Sequence, residues 1–218
     1  MFAIRHFSLS MAGAACALAL GIAVPAAAQP SAKETRQAHN VLVDYSICVA
    51  DAEPDITRTF VLTDGADAAR VDGVKRLFDS RCMGFNHGKL KMEDFLFRGA
   101  LAQRLIEKTL ASDALDNVAD IEALNATYAG GGPAAQGHTL MYRIGECIAR
   151  ADAAGARTLF ATRMGSDKEK AAIRALAPVI SGCVPAGQEV QIDRARLRFG
   201  LATMYYRLAA RLTGQGAE

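Results

Sequence analysis

Beyond residue 28 the chain carries four cysteines, Cys48, Cys82, Cys147 and Cys183, and three histidines, His39, His87 and His138. The cysteines form pairs separated by 34 and 36 residues, an even set that in an oxidising compartment closes two disulfides. The sequence leaves all three connectivities of these four cysteines open. Cys48–Cys82 with Cys147–Cys183 is the pairing expected if each pair belongs to a unit that once folded alone. No C-x-x-C motif is present, so the reactive pair of a thioredoxin-like redox protein is missing.

His39 and His138 each stand nine residues before a cysteine, near the expected start of a helix. Brought together they can share a Zn²⁺ or Cu²⁺ ion, provided a third ligand such as His87 or Asp44 joins them. Two imidazoles alone leave a metal site incomplete, and a solvated helix end is the plainer account. Arg58 and Arg157 form a second matched pair, each followed by threonine. A guanidinium in each position can grip a carboxylate or phosphate through two parallel bonds, or pin the carbonyl end of a neighbouring helix. Asp113, Asp116 and Asp120 read as a solvated face, because a calcium site needs more oxygens converging from a turn. No phosphate-binding Gly-rich loop, nucleophile elbow, H-E-x-x-H or EF-hand pattern appears, and no cofactor is implied.

These residues sit in a sequence that is written twice. Placing Cys48 over Cys147 also superposes His39/His138, Ala50/Ala149, Ala52/Ala151, Arg58/Arg157, Thr59/Thr158 and Thr63/Thr162, seven identities over residues 39–63 at an offset of 99. Cys82/Cys183 and Gly99/Gly200 then align at an offset of 101. Apolar spacing predicts four helices per unit. Helix A is expected over about 36–52 and 138–151, and helix B over 54–63 and 153–162. Helix C is expected over 67–80 and 166–183, the second opening on the capping box Ser166-Asp167-Lys168-Glu169, with Pro178 as a kink or early stop. Helix D is expected over 93–110 and 193–212, apolar on a wide face and therefore buried. Glycine in mid-helix costs about 1 kcal/mol relative to alanine, so Gly99 and Gly200 suggest that another backbone passes close by. Lys89-Leu90-Lys91 and Glu189-Val190-Gln191 offer a minor two-stranded pairing. The expected fold is all-α, two pseudo-symmetric repeats packed as one body.

The first residues read as an export signal: Arg5 and His6, an apolar run from Met11 to Val24, Pro25, then Ala26-Ala27-Ala28 for cleavage before Gln29. The run is shorter than the roughly 20 residues that span a bilayer, and no second apolar segment of that length follows. Cleavage leaves 24 Lys and Arg against 23 Asp and Glu, a net charge of +1 that offers no footprint for nucleic acid. The expected organisation is signal 1–28, repeat 29–110, linker with a short helix 111–137, repeat 138–212 and tail 213–218. Destination is the periplasm or the exterior.

The second-copy segments E-C-I-A-R-A-D and R-T-L-F-A-T, the ending L-R-F-G-L-A-T-M-Y-Y-R-L and the Ala-rich leader resemble exported two-repeat, cysteine-containing proteins of alphaproteobacteria of the sphingomonad type. The likeness covers most of the mature chain. It implies a periplasmic or secreted two-repeat protein and brings no activity or site residues with it. The leading expectation is a non-enzymatic binding or envelope-associated module whose partner is an unidentified protein or small molecule. The alternative is an enzyme in the groove between the repeats, using His87 or the His39/His138 pair. A catalytic site should break the repeat symmetry, as His87 does opposite Gln188.

Overall fold

Ser31 opens the first helix. Its hydroxyl accepts from the Glu34 amide at 3.3 Å while the Glu34 carboxylate accepts from the Ser31 amide at 2.7 Å, so two orphan donors are satisfied. The computed structural model describes residues 31–63, 67–78, 80–83, 92–187 and 190–214. The leader, His87, Lys89-Leu90-Lys91 and the last four residues of the tail lie outside them.

Seven α-helices occur among the described residues: α1 (Ala32–Ala52), α2 (Pro54–Leu62), α3 (Asp94–Thr109), α4 (Pro133–Ala151), α5 (Ala153–Phe160), α6 (Asp167–Cys183) and α7 (Arg194–Leu212). Short 3-10 turns cover Ala68–Arg70, Val74–Phe78, Ser80–Met83 and Val118–Asp120, and no strand is formed among the described residues. The fold is all-α. Val190 and Gln191 belong to no ladder, and the other residues of the expected two-stranded pairing, Lys89-Leu90-Lys91 and Glu189, lie outside the described residues.

Helix α7 is the axis of the molecule. Every residue from Leu197 to Ala210 is buried, the Arg207 side chain included. A helix apolar on every side belongs in the middle, with partners around it. Helices α3 and α4 flank it, α3 carries α1 and α2, and α4 carries α5 and α6. The close approach expected at the glycines is present. A Cβ on Gly99 would collide with the backbone of Phe199, and one on Gly145 would lie 2.9 Å from the backbone of Gly200 and Leu201. Gly200 in turn lies under the Met141 carbonyl of α4, where an added Cβ would come to 3.1 Å. Small residues thus let both flanking helices press onto α7, and Gly145 was not singled out by its sequence context.

Disulfides join Cys48 to Cys82 and Cys147 to Cys183, each with a Cα separation of 5.7 Å. The first ties α1 to the 3-10 segment, and the second ties α4 to the last turn of α6.

Several boundaries differ from the sequence expectation for physical reasons. Helix α1 begins at Ala32 because the Ser31/Glu34 cap recruits residues read as a loose arm. Helix α4 begins at Pro133, five residues before His138, since Pro at the first helical position is pre-organised and lacks only a donor that would be orphaned anyway. The linker therefore ends at Gly132. The segment expected as a first helix C is broken into 3-10 turns, with Gly73 at φ +72 interrupting any continuous helix. Pro178 neither stops nor shortens α6, whose final turn is fastened by buried Ile180 and the Cys147–Cys183 bridge. In the connection between α3 and α4 one 3-10 turn forms instead of a helix. Arg150 holds that connection by donating to the carbonyls of Val118 (2.7 Å), Ile121 (3.0 Å) and Glu122 (2.8 Å).

Candidate functional site

Three buried arginines are bound to carbonyls at the ends of helices. Arg98, on α3 and fully buried, donates to the carbonyls of Phe60 and Thr63 (2.8 Å to the latter) and covers the Phe60 ring at 4.3 Å. Arg198, on α7 and 1% exposed, donates to the carbonyls of Phe160 (2.9 Å) and Thr162 (2.7 Å). Its other donors reach Gln103 (2.9 Å), the Thr162 hydroxyl (3.1 Å) and Glu169 (2.9 Å). Arg207 crosses from α7 to the carbonyls of Val61 and Thr63, both at 2.9 Å. Carbonyls at a helix C-terminus lack intrahelical partners and carry partial negative charge, so a buried guanidinium there satisfies both. Arg157 acts in the same way, donating to Ala111 at 3.0 Å and to Leu110 at 3.4 Å beyond the end of α3. Arg58 stands beside Tyr206; burial raises the pKa of that phenol and the Arg58 charge opposes the rise.

The two histidines have different surroundings. His39 is partly exposed on α1, a helix whose packing partners are α2, α3 and the 3-10 turns. His138 is 5% exposed, stacked on Phe95 with ring centres 4.4 Å apart, and met edge-on by Tyr128 at 4.6 Å. Its Nε2 lies 2.5 Å from a Glu93 carboxylate oxygen, a contact that becomes an ion pair only when the imidazole is protonated. Among the described residues no three His, Cys, Asp or Glu side chains converge in a way that would hold a metal ion.

Burial is the main force on His138 and lowers its pKa; Glu93 pulls the other way, Arg196 adds to the lowering, and Asp94 opposes it. A lowered folded value means that the unfolded chain binds the extra proton more readily. Stability from this residue is therefore fully present above the ordinary value of 6.5 and is lost as pH falls through the lower folded value. His138→Phe keeps the stacking on Phe95 and removes the titration. Denaturant midpoints of this variant should change less between pH 7 and about pH 5 than those of the parent; an unchanged slope would show that other groups set the dependence.

Tyr128 joins this cluster to an open cleft. Its hydroxyl donates to Asp94 at 3.3 Å and its amide to the Thr139 hydroxyl at 3.0 Å. Burial, helped by Asp94, pushes its pKa up to about 12, so it remains a neutral donor. The cleft has a volume of about 560 Å³ and is lined by Tyr128, Gly130, Pro133, Ala135, Gln136, Gly137, Thr139, Leu140 and Arg143. Linker and α4 both contribute, which is why the early start of α4 at Pro133 matters. Gly137 and Thr139 reach the cleft while His138 between them turns inward. Arg143 is exposed, and among the described residues it makes no ion pair or hydrogen bond. Arg98, Arg150, Arg157, Arg198 and Arg207 all have donors committed to main-chain carbonyls; Arg143 does not.

Sequence reasoning reached His138 but missed Tyr128, Glu93, Phe95 and Arg143 around it. Arg143 had one usable signal, a cation on α4 at the spacing i, i+4 from Thr139, within reach of the Gly-rich connection. Comparison with family models, with curated proteins and with solved structures found no match, so the chemistry of the cleft rests on its own geometry.

Proposed function

We propose that this chain is an exported, disulfide-stapled, non-enzymatic binding protein of the cell envelope, made of two copies of one helical unit. Its ligand seat is the cleft between Tyr128 and Arg143, and its ligand is a small organic anion with an apolar body. The observation that carries this reading is Arg143, which lines a cleft of ligand size and makes no ion pair or hydrogen bond among the described residues. Gln136 and Thr139 add hydrogen-bonding groups, and Tyr128 and Leu140 add apolar surface. Export is supported by the two disulfides, which persist in oxidising compartments. Duplication is supported by the recurring order of long helix, short helix, bridged segment and long helix. It is supported also by the recurring arginine, Arg98 on the Phe60 carbonyl and Arg198 on the Phe160 carbonyl.

Isothermal titration with hexanoate, benzoate and hexylamine tests the reading. Both carboxylates bind and the amine does not, and Arg143→Ala weakens carboxylate binding by roughly 10- to 100-fold, the loss of one charge-assisted pair of bonds. Equal binding of acid and amine, or no response to Arg143→Ala, contradicts it.

An enzymatic reading has one observation in its favour, the contact of His138 with Glu93, which resembles a base and its orienting carboxylate. The ring is enclosed by Phe95 and Tyr128 and does not line the cleft, so the binding reading is preferred.

A further inference from the structure

His138 is enclosed by groups from several parts of the chain. Phe95 of α3 stacks on it at 4.4 Å, and Tyr128 of the α3–α4 connection meets it edge-on at 4.6 Å. The charged groups that face it are Glu93 and Asp94 at the start of α3 and Arg196 of α7. Asp94 is itself paired with Arg98 at 3.3 Å. Tyr128 and, one turn on in α4, Tyr142 complete the titratable groups of the cluster, both packed on Phe95. Nε2 faces the Glu93 carboxylate, but Nδ1 is buried with no hydrogen-bond partner. In the protonated ring both nitrogens are donors. The cation therefore holds an N–H at Nδ1 that meets no acceptor, and a buried donor left unpaired is costly. Burial already lowers the His138 pKa. By linkage, a proton on this ring favours any arrangement that lets water reach it.

One neighbour can give way. Phe95 and Tyr142 are buried, whereas Tyr128 is only half-buried. Its chain runs on into Gly130 at φ +110 and Gly132 at φ +86, where glycine turns at little steric cost. Its hydroxyl is held by a 3.3 Å bond to Asp94 and its amide by the Thr139 hydroxyl. Tyr128 is also a wall of the cleft, which His138 does not line. Resting on the ligand seat proposed above, we infer that His138 is a proton switch for that seat. Its protonation displaces the Tyr128 ring from the imidazole and takes apart one wall of the cleft, so that an anionic ligand is released as pH falls. The added positive charge, acting alone, would hold an anion more tightly. Arg143, the carboxylate's partner in that seat, is exposed and lies five residues on, about 7.5 Å along α4 and about 140° round it. Solvent therefore screens the carboxylate from the imidazolium, while loss of the wall acts on the ligand directly.

The test is proton nuclear magnetic resonance of the ligand-free protein from about pH 7 to about pH 5, with hexanoate titrations at both ends. Cross-relaxation between the Tyr128 and His138 rings should disappear as His138 titrates, and the amides of Gly130, Gly131 and Gly132 should shift with the same midpoint. In His138→Phe the Tyr128 ring stays seated throughout. Hexanoate affinity should fall several-fold more on acidification in the parent than in this variant. Glu93→Gln removes the carboxylate that favours the imidazolium, so the midpoint moves to lower pH, which a purely structural contact would not cause. Should hexanoate fail to bind at about pH 7, the ligand seat is wrong, and the ring contacts still decide the switch. Four results overturn the inference: ring contacts that persist once His138 is protonated, glycine shifts that are the same in His138→Phe, a midpoint indifferent to Glu93→Gln, or affinity that rises on acidification relative to His138→Phe. A His138 that stays neutral down to about pH 5 overturns it as well.

Discussion

Arg198→Met lowers the free energy of unfolding by about 3–5 kcal/mol, the loss expected when one partner of a buried ion pair is removed. Glu169, 2% exposed, then keeps a charge with no cation beside it, although the Gly165 amide still donates to its other oxygen at 2.7 Å. The carbonyls of Phe160 and Thr162 lose their donor at the same moment. Burial lowers the Arg198 pKa and Glu169 opposes that, so the pair holds its charges together. Arg198→Lys recovers only part of the loss, because a single ammonium cannot span partners on α3, α5 and α6 at once. Pairing Arg198→Met with Glu169→Leu should cost less than Arg198→Met alone, since no buried charge is then left unpaired. Urea unfolding followed by circular dichroism measures all three. A loss under about 1 kcal/mol for Arg198→Met would place this network among the near-neutral surface pairs and refute its structural role.

Replacing Cys147 and Cys183 with alanine removes a bridge across a sequence separation of 36 residues. In the chain-entropy model a loop of that length contributes about 3–4 kcal/mol by restricting the unfolded ensemble. Single domains typically have only about 5–15 kcal/mol in total, so a loss of this size brings the protein close to its unfolding threshold. The bridge also fastens α6 beyond Pro178, where the missing amide has already removed one helical hydrogen bond. Hydrogen exchange should therefore quicken first in the turn from Val179 to Cys183. An unfolding midpoint within error of the parent, with unchanged exchange there, would mean that α6 is held by packing alone.

Much of this fold could be read from residue types, and the reasons it could are specific. Helices α3 and α7 announced themselves through apolar residues on a wide face, and Gly99 and Gly200 through the cost of placing glycine in mid-helix. The disulfide pairing was one of three connectivities the sequence left open, preferred because each pair was expected to belong to a unit that once folded alone. The 3-10 segment misled because Val71, Val74, Leu77 and Phe78 keep helical spacing, yet Gly73 at φ +72 breaks the helix between them. Buried arginines were not foreseen. Charge in an apolar helix reads the same whether it reaches solvent or caps a neighbour, and only the arrival of α2 and α5 decides between them. The signal was present in the flanks: Arg98 follows Phe97, and Arg198 lies between Leu197 and Phe199.

The candidate site was less legible, because it depends on chain segments that meet only in the fold. His39 and His138 occupy equivalent places in the sequence, but Phe95 and Tyr128 close over only the second. The cleft needs α4 to begin at Pro133, inside a stretch whose glycines suggested a flexible connection. The break in symmetry expected at His87, opposite Gln188, lies outside the described residues.

The most direct test of a ligand seat in this cleft is an amide nuclear magnetic resonance titration of the protein with hexanoate. Binding there predicts saturable shifts concentrated on Tyr128, Gln136, Thr139 and Arg143, with saturation in Arg143→Ala requiring roughly 10- to 100-fold more hexanoate. Shifts centred on another surface, or none at concentrations where small carboxylates bind their carriers, would contradict it.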